Sequence, residues 1–475
     1  MTMHTRQTNG PAPSRTGDAR LDRRDVLRGA AAGVAFPAMI ASAGFAADTG
    51  SVQAATGQML NAQATNGRSH TMSNGGFSPA RLERLHDVIA GHVARGQIPG
   101  VVMMVSRQGE VHADAIGTTV FDGDEPMRRD TIFRIASVTK PITAAAAMIL
   151  VEECVLRLDD PVDEFLPELA DRQVLRAIDA PLDDTVPANR QITLRDLLTF
   201  QLGYGAIFAP PDQSPLAQRL IDALVAAGPQ LPGLTPDDYM AAFQDVPLAH
   251  QPGEKWLYNT GSDMLGVLIA RATGMSLGDF LQERIFTPLG MKDTGFSVPA
   301  AKLDRLPGIY WTDFATGEFG EFDSVGEASR FAQPPVFESG ASGLVSTVDD
   351  LLAFAEMMLN NGVYGDQRLF SRPSVELMTT DHISDAVKTA SANDFFPGFF
   401  DKTGWGFGVA INTRRDNLLE TPGRYGWDGG YGTSWYVDPK EDLIGIVLTQ
   451  RVWDEPGYPR TMQDFWTSVY QAIED

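Results

Sequence analysis

The sequence predicts an α+β fold in which helices flank an antiparallel sheet and a mostly helical lobe is inserted into the chain. Three observations indicate it. Two β-branched runs, at 101–106 and 111–118, surround Gln108-Gly109, a pattern typical of a hairpin. Further strand-like runs occur late, at 406–412, 433–437 and 443–449. Between them, over residues 159–329, helical stretches alternate with Pro- and Gly-rich loops.

Helices are expected at three places around the strands. Ser78-Pro79 begins the first, with Ser as the N-cap and Pro at the first helical position. A second runs from about 137 to 153, and a last one covers about 461–473. Residues 346–350 are typical of a capping box, and they begin a helix that reaches Leu359.

Composition excludes several classes of function. The chain has 475 residues, 43% of them hydrophobic, and a net charge of −23, which disfavours binding to nucleic acid or to an anionic membrane. It has one cysteine, Cys154, so it has no intramolecular disulfide and no Cys-rich metal site. The apolar sequence around Cys154 predicts that this thiol is buried.

The N-terminus resembles an export signal of the twin-arginine type. Arg23-Arg24 precedes an apolar run over 29–45, and Ala41-Ser42-Ala43 offers a cleavage site. Residues 1–46 are therefore predicted to direct export through the twin-arginine machinery to the periplasm or the medium. The alternative is a buried amphipathic helix. Residues 47–77, rich in Gly, Ser, Thr, Asn and Gln, are predicted to be a flexible linker, and no stretch is suited to a stable membrane span.

The first chemical motif is Ser137-Val138-Thr139-Lys140. At a helix start, residues three apart lie on one face, so the lysine amine can reach the serine hydroxyl. Burial lowers a lysine's preference for its charged form, which allows it to take a proton from the serine. Of the chain's lysines, only Lys140 has a Ser three positions before it.

Two later motifs contain further candidates. Tyr258 and Asn259 precede an apolar helix, and a loop tyrosine with its hydroxyl in a cleft can act as a proton shuttle. Residues 426–433 are rich in glycine and lead into a strand, where the backbone can approach a substrate closely. An exposed N–H there would form half of an oxyanion hole.

In order and spacing, these three motifs resemble the serine β-lactamase and penicillin-binding-protein superfamily, especially class C β-lactamases and family VIII carboxylesterases. The resemblance implies a β-lactamase/transpeptidase-like fold, with residues 78–158 and 330–475 as the α/β lobe and 159–329 as the helical lobe. It implies that Ser137 is the nucleophile, that Lys140 activates it, and that Tyr258 acts as base and then acid. Trp427 and Gly429 match the family's W-x-G, and Gly430 would contribute an oxyanion N–H beside that of Ser137.

Two departures from the family's motifs affect the interpretation. The family's Y-x-N requires Asn at position 260, where this chain has Thr260. Either the loop is one residue shorter, or Asn259 supplies the amide in a shifted register. Trp427 replaces the Lys or His that pairs with a substrate carboxylate in relatives, which favours neutral acyl esters over acidic substrates.

Two further motifs are interpreted as coincidental. Ser276 lies in a G-x-S-x-G pattern, but a helix precedes it where a nucleophile elbow requires a strand, so it is predicted to be a helix N-cap. Lys402-Thr403-Gly404 matches the family's K-T-G, but Trp427–Gly429 occupies the family's place before the Val-Asp-Pro strand.

The resulting prediction is an exported serine hydrolase that cleaves small carboxylic esters without a metal or an organic cofactor. Three alternatives remain open. The first is a β-lactamase, D-amino-acid peptidase, amide hydrolase or acyltransferase that uses the same site. The second is a penicillin-recognising sensor that acylates and stops, and the third is an α/β-hydrolase that uses Ser276.

Overall fold

The structure is a computed structural model, and it describes residues 75–475 except 208–212, 229, 314–315 and 455–456. The predicted export signal, 1–46, and the linker up to residue 74 lie outside the described residues. Phe77, the last residue of the predicted linker, is 3% exposed and forms a β-bridge to Ile473. Phe77 therefore belongs to the fold and not to the linker.

The described residues form fifteen strands and thirteen α-helices, each numbered in chain order. The strands are β1 (Gly100–Arg107), β2 (Glu110–Gly117), β3 (Phe133–Arg134), β4 (Gln173–Leu175), β5 (Thr185–Pro187), β6 (Ile309–Thr312), β7 (Phe319–Asp323), β8 (Val345–Ser346), β9 (Val363–Tyr364), β10 (Gln367–Arg368), β11 (Thr403–Trp405), β12 (Ala410–Asn412), β13 (Tyr425–Gly429), β14 (Thr433–Asp438) and β15 (Leu443–Thr449). The helices are α1 (Pro79–Ala94), α2 (Thr139–Glu152), α3 (Leu194–Leu198), α4 (Pro215–Asp222), α5 (Pro236–Ala242), α6 (Thr260–Thr273), α7 (Leu277–Leu281), α8 (Thr287–Leu289), α9 (Val348–Leu359), α10 (Arg372–Met378), α11 (Asp385–Ala390), α12 (Phe399–Lys402) and α13 (Arg460–Ala472).

Seven strands form one antiparallel sheet in the order β11-β12-β13-β14-β15-β1-β2. All eight residues of β1 are buried, because both faces of the sheet are covered. Helices α1 and α13 cover one face, through side chains such as Ile89 and Phe465. Helices α2, α6 and α9 pack in the larger core on the other face. The predicted antiparallel sheet with flanking helices is confirmed.

Helix α2 lies at the centre of this larger core. Its first twelve residues are all buried, and the four consecutive alanines at 144–147 contribute little side-chain bulk. A helix buried on all sides places the groups at its N-terminus deep in the protein. The Ser137–Lys140 motif spans this point, with Ser137 in a 3-10 turn over Ala136–Val138 and Lys140 in the first turn of α2.

Two late segments differ from the sequence prediction. The predicted strand 406–412 is wrong over its first half, because Gly406 donates to the carbonyl of Val409 across a turn between β11 and β12. Gly408 has φ +73° in that turn, and a Cβ there would lie 2.7 Å from the carbonyl oxygen of Lys140. Residues 425–429, interpreted as a glycine-rich approach to a strand, form strand β13 itself.

Residues 159–329 contain α3 to α8, and also two short hairpins, β4–β5 and β6–β7, that the sequence analysis did not predict. The prediction for Cys154 is wrong. Its thiol is exposed, since the residue lies beyond the end of α2 in a turn with φ +59°.

Among the described residues, no single helix has the length and hydropathy to cross a membrane. Two consecutive helical segments, Thr260–Thr273 and Leu277–Leu289, are together long and apolar enough, but they are bent by 80° relative to each other.

Candidate active site

Ser137 lies in the 3-10 turn between β3 and α2, at the floor of a cavity of about 980 Å³. The residue before it, Ala136, has φ +45°, a conformation that residues with a Cβ rarely adopt. Backbone strain of this kind concentrates at functional sites, where the surrounding structure holds it in place. The sharp turn leaves Ser137 half-buried, with its side chain at the cavity surface.

Lys140 is completely buried, and its amine has three partners. Its Nζ lies 2.9 Å from Ser137 Oγ, 2.8 Å from Asn259 Oδ1 and 2.9 Å from the carbonyl oxygen of Ala341. Burial lowers the pKa of Lys140 to about 7, although the negative charge of Asp263 acts in the opposite direction. A substantial fraction of the amine is therefore neutral at physiological pH.

Tyr258 lies in the loop before α6, where its ring contacts five other aromatic rings, those of Phe200, Trp256, Phe395, Trp405 and Trp427. Its hydroxyl accepts a hydrogen bond of 2.6 Å from Trp427 Nε1, and its ring centroid lies 4.5 Å from Lys140 Nζ. Burial raises the pKa of Tyr258, and hydrogen bonds with Ser137 and Trp427 oppose that change only in part. The resting side chain is accordingly a neutral phenol that contacts both the serine and the indole.

Asn259, the residue after Tyr258, lies where it can replace the asparagine that the family's Y-x-N has at position 260. Asn259 has φ +86°, and this turn directs its side chain to Lys140, while Thr260 begins α6. Of the two alternatives left by the sequence, the geometry matches the shifted register, with Asn259 in contact with the lysine.

Strand β13 brings the third motif beside Ser137. A Cβ on Gly429 would lie 2.3 Å from the carbonyl oxygen of Ile135 and 2.1 Å from Thr433 Oγ1, so only glycine fits there. Gly430 follows at the cavity surface, and its carbonyl accepts from the N–H of Trp453. The end of β13 thus lies against the backbone that carries Ser137, and Ser137 and Gly430 both line the cavity.

The two motifs interpreted as coincidental lie away from these contacts. Ser276 is the N-cap of α7, where its Oγ accepts from the N–H of Asp279 at 3.0 Å, which confirms the capping prediction. Lys402 lines the outer part of the cavity, where its amine forms an ion pair with buried Glu420.

Sequence reasoning missed two residues that hold the lysine in place. Asp263 is buried one turn into α6 and accepts from Ser339 Oγ at 2.6 Å and from the N–H of Ala341 at 3.1 Å. It fixes the turn whose Ala341 carbonyl accepts from Lys140. The only signal in the sequence is an acidic residue in an otherwise apolar helix, five positions after Tyr258.

The cavity above these groups is mostly aromatic and aliphatic. Phe395, Phe399 and Trp427 line it on the side of Tyr258, and Trp311 and Tyr431 line it elsewhere. Within the described ranges, no group of three or more His, Cys, Asp or Glu residues is placed to hold a metal ion.

Comparison with known proteins agrees with this fold. The family model described as Beta-lactamase matches residues 85–461. Protein Rv1367c of Mycobacterium tuberculosis is 38% identical over 366 residues, which cover 75% of this chain and 86% of that protein. Esterase EstB of Burkholderia gladioli is 30% identical over 402 residues, 81% of this chain and 93% of that protein. The solved structure of EstCE1, a hydrolase with promiscuous acyltransferase activity, superimposes with a TM-score of 0.66 at 25% identity and covers 82% of this chain and 98% of that one.

The chain therefore belongs to the Beta-lactamase family. It is a serine hydrolase of the β-lactamase fold, in the part of the superfamily that contains esterases.

Proposed function

We propose that this protein hydrolyses neutral carboxylic esters through an acyl-enzyme on Ser137. The observation that carries the proposal is the set of three partners around the Lys140 amine. A neutral amine has two N–H donors and one lone pair. The side-chain oxygen of Asn259 and the carbonyl of Ala341 only accept, so they take both donors and leave the lone pair for Ser137.

In the first half of the reaction, Lys140 takes the hydroxyl proton as Ser137 Oγ attacks the ester carbonyl carbon. Tyr258 is not the first acceptor, because burial raises its pKa and keeps the phenol protonated. The N–H groups of Ser137 and Gly430 donate to the oxyanion that develops on the carbonyl oxygen.

Collapse of this intermediate breaks the bond to the alkoxy oxygen. Tyr258 gives its phenol proton to the departing alkoxide, and the Lys140 ammonium, next to its ring, lowers the cost of the resulting phenolate. In the second half, water attacks the acyl carbon and gives a proton to the Tyr258 phenolate. Collapse of this second intermediate breaks the bond to Ser137 Oγ, which takes its proton back from the Lys140 ammonium, and the carboxylic acid leaves.

Trp427 supports an ester substrate over a β-lactam or a D-peptide. Its indole N–H is used by Tyr258, and the residue presents an apolar surface where a carboxylate-binding cation would be needed. A substrate carboxylate placed against Trp427 would therefore lose its solvation without gaining a partner from that residue. The similarity to EstB, an esterase, and to EstCE1, a hydrolase, also supports ester cleavage.

The test is to measure kcat/KM for p-nitrophenyl butyrate and for a chromogenic cephalosporin on the same enzyme preparation. The proposal expects steady turnover of the ester and a cephalosporin rate at least a hundredfold lower. Cephalosporin turnover that exceeds ester turnover would overturn it in favour of a β-lactamase. A stoichiometric burst without turnover would indicate a sensor.

A further inference from the structure

Two aromatic clusters border the active-site cavity. The first, here called the tyrosine-side wall, is formed by Phe395, Phe399 and Trp427, and it belongs to the cluster that contains Tyr258. The second, the serine-side wall, is formed by Trp311, Tyr431 and Val452, and it belongs to the cluster that contains Ala136. Ser137 follows Ala136 of the second cluster, and it is hydrogen-bonded to the hydroxyl of Tyr258 in the first cluster. The nucleophile therefore lies between the two walls.

A ring pair lies beside the two walls. Phe396, next to Phe395 in the chain, lies with its ring centroid 6.3 Å from that of Trp453, the residue after Val452. The backbone N–H of Trp453 donates to the carbonyl of Gly430, so the backbone of this residue lies close to the proposed oxyanion site. Phe396 is half-buried and lines the same cavity. A substrate group that extends from Ser137 between the walls therefore meets the ring of Phe396.

The residues just before Phe395 and Phe396 in the chain are held in place by polar contacts. Asp394 forms an ion pair of 2.8 Å with Lys255, and Ser391 Oγ accepts from the N–H of Trp256 at 2.9 Å. Phe395 also packs 4.8 Å from the ring of Tyr258. Rings held in this way present a formed surface, so a substrate does not have to pay the entropy of ordering them.

The volume of the cavity exceeds what a small ester needs. Its volume of about 980 Å³ lies at the upper end of the range of roughly 300–1,000 Å³ for sites that enclose drug-sized ligands. An acetate or butyrate ester would leave most of the aromatic lining in contact with water. Each further methylene or ring carbon that displaces this water contributes to transition-state binding.

We propose that the substrates of this site are bulky esters that carry a large, apolar, ring-containing acyl group, and that Phe395 and Phe396 are the residues that select them. The inference rests on the proposed ester hydrolysis and adds the substrate class to it. Contact between an aromatic substrate ring and these phenylalanine rings stabilises the complex more than the buried apolar area alone would, so the site should prefer aromatic acyl groups.

The test compares three p-nitrophenyl esters that share one leaving group: acetate, butyrate and 3-phenylpropanoate. The last two have the same unbranched carbon next to the carbonyl, so their intrinsic reactivity is matched. From acetate to butyrate we expect kcat/KM to rise about fourfold per methylene. From butyrate to 3-phenylpropanoate we expect a further increase of roughly tenfold or more.

The variant is Phe396→Ala, for which the ratio of 3-phenylpropanoate to butyrate should fall about tenfold. Phe396→Leu keeps an apolar side chain, folds with less risk, and should give an intermediate ratio. Phe319→Ala is the matched control, because Phe319 is 52% exposed and is not part of the cavity lining, and it should keep the wild-type ratio.

The possible outcomes separate the two proposals. A wild-type enzyme that hydrolyses butyrate at least as well as 3-phenylpropanoate overturns the substrate class and leaves ester hydrolysis standing. A ring preference that both Phe396 variants retain overturns the assignment to this segment. If none of the three esters is hydrolysed, the proposed function itself fails, and the substrate class fails with it.

Discussion

At the scale of single residues, the charge of Lys140 decides whether Ser137 is a nucleophile. Only the neutral amine can take the hydroxyl proton, and burial lowers its pKa to about 7. We therefore expect kcat/KM for p-nitrophenyl butyrate to rise with pH through about 7 and to level off above it. A pH profile between 5 and 9 measures this. A rate that is flat across that range would contradict Lys140 as the base.

The contact between Asn259 and Lys140 gives a second prediction. Asn259→Asp places a carboxylate 2.8 Å from the amine, and an opposite charge at that distance raises a lysine pKa by roughly one to three units. The rising limb of the pH profile should move upward by that amount, with activity partly regained at high pH. Asn393→Asp, at an exposed position, should leave the limb in place. A limb that stays near 7 in Asn259→Asp would show that Asn259 does not act on Lys140.

The residues of the site differ in how far the sequence can predict them. Ser137 and Lys140 are predictable because their spacing on a helix is local geometry. The contact between Lys140 and Ala341 is not, because it joins residues 201 positions apart through a turn that Asp263 holds. The positive φ angles of Ala136 and Asn259 could not be predicted from the sequence either, since neither residue is a glycine.

At the scale of elements, strand β13 places Gly430, the proposed oxyanion donor, beside Ser137. Its last residue, Gly429, lies so close to Ile135 that a side chain would push the strand away from Ser137. Gly429→Ala should lower kcat by on the order of a hundredfold, as loss of one oxyanion donor does. Thermal unfolding should be measured on the same variant. A melting temperature close to that of the wild type would show that the loss of kcat comes from local displacement of the strand and not from misfolding.

A matched control for this variant is Gly320→Ala, because no atom lies within 4 Å of its Cβ position. It should retain wild-type kcat. A Gly429→Ala enzyme with unchanged kcat would mean that β13 does not position the catalytic N–H. The sequence analysis identified the glycines of this motif but not the strand, because a strand with glycines at 426 and 429 lacks the β-branched residues that mark one.

At the scale of the whole molecule, sequence pattern predicted β1, β2, β14, β15 and the helices that cover the sheet, and the resemblance of the three motifs implied the β-lactamase-like fold. The two hairpins in residues 159–329 were not predicted, since strands of three to five residues are too short to show a period. The cavity is likewise a property of the whole molecule, because its aromatic lining comes from segments far apart in the chain.

We also propose that residues 1–46 direct export of the folded protein through the twin-arginine machinery. Replacing Arg23 and Arg24 together by Lys keeps the charge and removes the paired-arginine signal. The uncleaved precursor should then accumulate in the cytoplasm, as cell fractionation and immunoblotting can show. Arg28→Lys, outside the pair, should export normally. Normal export of the double variant would contradict the proposal.

The central claim is that Ser137 carries the acyl group. The most direct measurement is mass spectrometry of the enzyme mixed with p-nitrophenyl butyrate and rapidly quenched, first on the intact protein and then on its proteolytic peptides. The wild-type enzyme should gain one butyryl group on the peptide that contains Ser137, and Ser137→Ala should gain none and lose hydrolysis. Ser276→Ala, which removes only a helix cap, should be acylated and active like the wild type. An acyl group on Ser276, or full activity in Ser137→Ala, would contradict the account.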